Sequence, residues 1–161
     1  MMELAGSWFL KLAAWAAPFL ARRLYSQSKL TSKIRIRVRG EGDGVVFNCG
    51  EMPYARVWLN VANFSPIDVE FDRIFGEISH GSQLAPFYNL HRYLVDATGE
   101  KVIFLEIPLN QDHVTFLRRN RNNNFQTTLN FSAVILSSVH NFELPRRELQ
   151  AGNVQFQNVP P

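Results

Sequence analysis

Residues 57–71 read VWLNVANFSPIDVEF, and this run decides the fold. Val57, Leu59 and Val61, with Ala55 ahead of them, put an apolar side chain at every second position, the period of a β-strand that buries one face. Asn63-Phe64-Ser65-Pro66 interrupts the pattern with turn-forming residues. Ile67, Val69 and Phe71 then resume the alternation, which continues through Ile74, Phe75 and Ile78 with one change of register, the mark of a β-bulge.

The same period appears on either side. Ile34, Ile36 and Val38 alternate with Arg35, Arg37 and Arg39, so a strand here has one apolar and one basic face. Gly40 to Gly44 read as a turn and Val45 to Phe47 as a short strand. Downstream, Ile103, Leu105 and Ile107 alternate within Glu100 to Leu109 before Pro108 weakens the pairing. Leu129, Phe131, Ala133 and Ile135 mark another strand, and Phe142 with Leu144 and Val154 with Phe156 mark short closing ones. Loops are expected at Ser79–Ser82, Asp96–Gly99, Asn110–His113 and Asn120–Asn124, with no comparable helical stretch after residue 31. About seven to nine strands so spaced predict an all-β fold, an antiparallel immunoglobulin- or fibronectin-like sandwich. At 161 residues, 46% of them hydrophobic and 13 of them Phe, the chain holds one domain with a proper core plus an appendage. The expected organisation is a hydrophobic helix over 1–25, a linker over 26–33 and the sandwich over 34–158.

The appendage is apolar all round. From Leu4 to Ala21 only Lys11 is charged, and Arg22 and Arg23 close the stretch. On a helix, Leu4, Trp8, Leu12, Trp15 and Phe19 share one side and Ala13, Ala14, Ala17 and Ala21 the other. Such a segment is roughly 27 Å long, just enough for a thin hydrocarbon core. Lys11 costs about 2.5 to 3.5 kcal/mol near mid-span, and Pro18 kinks the helix. Three readings stay open: a short span, an interfacial anchor, and a helix docking the chain into a larger soluble assembly. In the first two, Trp8, Leu12, Trp15, Phe19 and Leu20 are the anchor residues. The expected location is a membrane, single-pass or interfacial, with the carboxy-terminal domain cytoplasmic, since the positive residues follow the segment.

Net charge is only +3, but the cations are clustered. Arg22, Arg23, Lys29, Lys33, Arg35, Arg37 and Arg39 crowd the positions after the apolar segment, and Arg118, Arg119 and Arg121 form a second group flanked by Phe116 and Phe125. Arg22, Arg23, Arg35, Arg37, Arg118, Arg119 and Arg121 are the candidate contacts to headgroups or to a partner. The partners this pattern allows are the membrane, a protein, an anionic lipid and, through phosphate contacts and aromatic stacking, nucleic acid.

No residue set names a reaction. His80, His91, His113 and His140 stand in no HExxH or CxxC spacing, so no metal is expected. Gly40, Gly42 and Gly44 sit in the acidic run GEGDG, which repels phosphate, and there is no GxSxG elbow. Glu70 and Asp72 share a strand face and could serve as acid and base, though the wet face of a sheet explains them as well. Cys49, the single cysteine, excludes an intramolecular disulfide and reads as a small buried thiol. The sequons at Asn63 and Asn130 are discounted, the first for Pro66 after it and the second for its place in mid-strand. The expectation is a protein that is not an enzyme and needs no cofactor.

The string VWLNVANFSPIDVEFDRIFGEI, residues 57–78, resembles the water-stress and hypersensitive-response domain of the second late-embryogenesis-abundant group. Asn60, Asn63, Ser65 and Pro66 match that family's turn, Val69 its next strand and Gly76 the small position after it. GEKVIFLEIPLN, residues 99–110, is similar to its later strand leading into a proline. The resemblance spans about Ile34 to Phe156. It implies a sandwich that is non-enzymatic, often membrane-tethered, and linked to stress or immune responses.

Overall fold

In chain order the elements are α1 (Gln27–Lys33), β1 (Ile34–Val38), β2 (Val45–Asn48), β3 (Tyr54–Asn63), β4 (Val69–His80), β5 (Gln83–Asn89), β6 (Tyr93–Val95), β7 (Glu100–Pro108), α2 (Gln111–Asn120), β8 (Thr127–Ser137), β9 (Phe142–Ala151) and β10 (Val154–Gln157). They are seen in a computed structural model that describes residues 22–40 and 44–159. β3 alternates half-buried and buried residues along its whole length, as the period of two requires.

The strands form two sheets packed as a β-sandwich. In the first, β7 runs antiparallel along one edge of β3, while β1 and β2 share the other edge, β1 beside the carboxy-terminal half of β3 and β2 beside the amino-terminal half. β10 lies outside β2. In the second sheet, β8 pairs with β4 throughout, β5 and β6 share the opposite edge of β4, and β9 lies outside β8. Alternate residues of both sheets meet in one core that includes Val57, Leu59, Ile103, Leu105, Phe71, Ile74, Phe131 and Ile135, each at most 1% exposed. Burial of this kind is the main favourable term in folding. Leu30 of α1 and Val114 and Leu117 of α2 join the same core.

The expected bulge lies at Asp72. Phe71 pairs with Ile135 and Arg73 with Val134, so Asp72 is the extra residue. Inward positions switch there from Val69 and Phe71 to Ile74, Ile78 and His80. Gly76 lies beyond the bulge against β8, where a Cβ would stand 2.0 Å from the Asn130 carbonyl oxygen and 2.7 Å from the Phe131 Cα. No side chain fits there without moving the backbone of β8.

Several expectations need correction. The segment 111–120 is helix where a loop was expected to begin: Asn110 Oδ1 accepts from the His113 N–H at 2.8 Å and the Asn110 N–H donates to His113 Nδ1 at 3.2 Å. That reciprocal cap is hidden in sequence because His stands where Glu or Gln is the usual signal, and only Val114 and Leu117 are buried. β5 was masked by Pro86, which sits on an edge strand where a missing donor is tolerated. The sandwich is not wholly antiparallel either. β9 ends in one sheet and the chain crosses at Gly152-Asn153 to the other, so β10 arrives parallel to β2. Most of the expected linker 26–33 is α1.

The expected membrane location is corrected as well. Among the described residues no helix is long and apolar enough to cross a membrane. α1 and α2 have 7 and 10 residues, roughly 10 and 15 Å against a hydrocarbon core of about 30 Å. The anchor assigned to Trp8, Leu12, Trp15, Phe19 and Leu20 lies outside the described residues.

Candidate functional site

The period of two puts Arg35, Arg37 and Arg39 on the outer face of β1, with Ile34, Ile36 and Val38 turned to the core. Across the ladder Arg35 faces Ala62 and Arg37 faces Asn60. These small or short residues leave a hollow of about 410 Å³ lined by Arg35, Arg37, Asn60, Phe64, Glu100 and Arg147. A second hollow of about 240 Å³ continues it past Arg37, Val38, Arg39 and Gly40. Together they make a groove along β1.

The groove is cationic. Among the described residues that line it, Arg35, Arg37, Arg39 and Arg147 stand with one acid, Glu100. Among the described residues no carboxylate lies within ion-pair distance of Arg35, Arg37 or Arg39. The Arg35 guanidinium lies 5.3 Å from the centre of the Phe64 ring, which is 49% exposed, so a cation-π contact steadies it without neutralising it. Arg147 reaches over from β9 and donates to the carbonyls of Ile34 and Thr31, both at 3.2 Å. It ties the two sheets together at the start of β1.

The turn that follows β3 is held by buried hydrogen bonds. Asn63 is 1% exposed and Ser65 is fully buried. Asn63 Nδ2 donates to the carbonyls of Ile67 at 2.8 Å and Asp96 at 3.1 Å, and its Oδ1 accepts from the Ser65 N–H and hydroxyl at 3.0 and 2.7 Å. The side chain at the first sequon thus clamps two turns together.

The second basic group lies elsewhere. Arg118 on α2 donates to the Cys49 carbonyl at 2.7 Å, beyond the end of β3 that lies opposite Asn63. Five residues of strand separate the level of Arg39 from that of Pro53 and nine that of Arg35, roughly 16 and 30 Å at the rise of a β-strand. The two clusters cannot share one small ligand. Arg119 and Arg121 are exposed. Phe116 and Phe125 stack on each other at 6.0 Å, and Phe125 also meets His80 edge-on. Arg22 and Arg23 are exposed, and the Arg22 carbonyl lies 3.2 Å from His140 Nε2.

Glu70, Asp72, His80 and Cys49 each make structural contacts. Arg92 spans Glu70 at 3.4 Å and Asp72 at 2.8 Å, and Arg73 holds Asp72 at 3.2 Å, so this carboxylate pair is an ion-pair network on a sheet face. His80 is 4% exposed, its Nδ1 2.7 Å from Thr127 Oγ1, among the rings of Phe47, Phe125 and Phe156. Burial lowers its pKa. Burial also raises the Cys49 thiol, against the opposing pull of Arg118.

Sequence reasoning missed two features of this surface. One is Arg147, which is distant in sequence and meets β1 only through the fold. The other is a strip on the same outer face where Trp58 and Phe104 meet across strands at 5.4 Å. Beside them the Arg56 guanidinium lies 4.2 Å from the Tyr54 ring centre and pairs with Glu106 at 2.9 Å. The alternation that marks Val57, Leu59 and Val61 as inward implies that Trp58 faces out, so this strip was open to reading.

No family model matches the sequence, and no curated protein matches it. Solved structures share the outline of the fold. The solution structure of a candidate late embryogenesis abundant protein covers 92% of this chain and 86% of its own, with 11% identity and a TM-score of 0.47. A solution structure from Arabidopsis thaliana covers 78% of this chain and 81% of its own, with 10% identity and a TM-score of 0.43. A crystal structure of a protein from Archaeoglobus fulgidus covers 73% and 94%, with 10% identity and a TM-score of 0.41. At these levels the likeness is one of outline, and the sandwich stands on its own two sheets.

Proposed function

We propose that this chain is a non-catalytic interaction domain whose sandwich, over 34–158, engages a protein partner through the basic groove along β1. In this reading it is an immunoglobulin- or fibronectin-like sandwich with late-embryogenesis kinship, and it uses no cofactor. The observation that carries it is the row of Arg35, Arg37 and Arg39 at alternate positions of one strand, without carboxylate partners among the described residues, along a groove floored by β3. Unpaired cations on a fixed scaffold steer and orient an acidic surface better than they stabilise their own fold.

The test is site-specific photocrosslinking in cells, with the reactive group placed on the full-length chain at Asn60 in the groove or at Glu143 on β9. A discrete protein adduct is expected from position 60, absent from position 143 and lost when Arg35→Glu and Arg37→Glu are combined. Equal adducts from both positions, or an adduct that survives the charge reversal, would refute the assignment of this surface.

A further inference from the structure

The ladder between β1 and β3 has a fixed phase. The Phe64 N–H donates to the Lys33 carbonyl at 2.9 Å and the Arg39 N–H to the Trp58 carbonyl at 2.8 Å. In an antiparallel pair the residues that exchange backbone bonds alternate with those that do not. With the register of Ile34 on Asn63 and Val38 on Leu59, Lys33, Arg35, Arg37 and Arg39 bond towards β3, while Ile34, Ile36 and Val38 turn their N–H and C=O away from it. The groups of Ile34 are already used: its N–H bonds the Thr31 carbonyl and its carbonyl accepts from Arg147. Among the described residues, the N–H and C=O of Ile36 and Val38 have no strand beside them, since β1 pairs with β3 alone. Ile36 and Val38 accordingly keep 8% and 7% exposure, where Val57, Leu59 and Val61 of the central strand keep at most 1%.

We propose that the partner binds as an extended strand added to this outer edge of β1, with an acidic residue at every second position and apolar residues between. The inference rests on the reading of the β1 groove as a protein-docking surface and specifies what docks there. A strand laid beside β1 continues its pleat, so side chains on its outer face stand level with Arg35, Arg37 and Arg39, and those on its inner face level with Ile36 and Val38. Main-chain bonds supply affinity and the alternating side chains supply selection, the mode of β-strand addition. Arg147 closes the edge at Ile34 and the Asn153 side chain takes the Gly40 carbonyl at 2.9 Å, so the added strand bonds at Ile36 and Val38. A second copy of this chain pairing β1 with β1 is disfavoured, because it brings arginine opposite arginine on the outer face. The charge of the edge therefore selects an acidic partner and guards against self-association.

The experiment uses the full chain and synthetic peptides of about eight residues. One alternates Glu and Val; a second has the same composition with the glutamates contiguous. Two further versions of the first carry N-methyl groups along one backbone edge or the other. Binding is read by fluorescence anisotropy, and amide hydrogen exchange is followed at Ile36 and Val38. The alternating peptide is expected to bind about tenfold more tightly than the contiguous one, to slow exchange at both amides, and to lose binding when methylated on one edge but not on the other. Val38→Pro removes an N–H that faces away from β3, so the sandwich stays folded while binding falls about tenfold. The methylated peptides decide the matter if that variant does not fold. If both acidic peptides bind alike, lose binding with Arg35→Glu and Arg37→Glu, and leave the two amides unprotected, strand addition is overturned while the docking surface stands. If neither peptide binds, or a single-stranded oligonucleotide takes the groove instead with the same dependence on arginine, both readings fall.

Discussion

Replacing Asn63 by Asp changes one atom and reverses one polarity. The side chain keeps the oxygen that accepts from Ser65, but its other terminus, Nδ2 in the native protein, becomes a second oxygen facing the carbonyls of Ile67 at 2.8 Å, Asp96 at 3.1 Å and Val95 at 3.4 Å. Two well-formed hydrogen bonds are lost, each worth about 1 kcal/mol net, while the Ile67 and Asp96 carbonyls keep the Ser65 hydroxyl and the Gly99 N–H as donors. The new buried oxygen, facing carbonyls with no donor, adds about 1–3 kcal/mol, so the cost is about 3–5 kcal/mol. For a domain of this size that lowers Tm by roughly 10–15 °C. The penalty also depends on pH. The site is 1% exposed and offers a carboxylate no cation, so burial raises the folded pKa of the introduced acid above the value of about 3.9 that it has when unfolded. The neutral acid retains one donor, so Asn63→Asp is least destabilising below pH about 4, and the loss grows as pH rises through the folded pKa. Urea unfolding followed by far-UV circular dichroism at pH 4 and pH 8, against the native chain at each pH, measures both effects. A variant within about 1 kcal/mol of the native protein at pH 8, or one whose penalty does not change with pH, would show that Asn63 does not clamp the two turns.

Gly76→Ala should cost about 2–4 kcal/mol, because the new methyl meets β8 backbone rather than a movable side chain; chemical denaturation checks it, and a loss below 1 kcal/mol contradicts the close approach. His80 is held neutral by burial, and its Nε2 has no hydrogen-bond partner among the described residues. Its folded pKa lies below the unfolded value of 6.5, so the stability it contributes is present above pH 6.5 and lost as pH falls towards the folded pKa. Melting of the native chain between pH 7.5 and 5 should show that slope and His80→Phe should flatten it; equal slopes would remove His80 as the cause. Cys49 is fully buried with a raised pKa, so a thiol reagent at pH 7.5 should modify it only as fast as the protein unfolds. Labelling at the rate of a free thiol would place it at the surface.

Strands were legible wherever one face is buried and the other wet, because the burial itself writes the alternation into the sequence. Ile34–Val38, Tyr54–Asn63 and Glu100–Pro108 were read on that ground, and so was the bulge in Val69–His80, where the inward positions change parity. β5 and β6 were not, since Pro86 breaks the pattern of one and the other is only 3 residues long. α2 escaped because its buried face is two residues and its cap uses histidine. The basic face of β1 was legible as well, but not the roughly 16 to 30 Å that separates Arg39 and Arg35 from the level of Arg118, distances fixed by the register along β3.

Residue order alone carries local information: which residues turn inward, where the chain must turn, and that three arginines share one face of β1. The tertiary structure alone decided what stands beside that face. Arg147 comes to it from 113 residues away, β10 slips in parallel to β2, and the outer edge of β1 keeps no strand among the described residues. Periodicity records the burial of each side chain but carries no record of which strand lies next to which. Pairing is settled only when the two sheets close over a common core, and whatever backbone remains unpaired at the rim is then what a partner can reach.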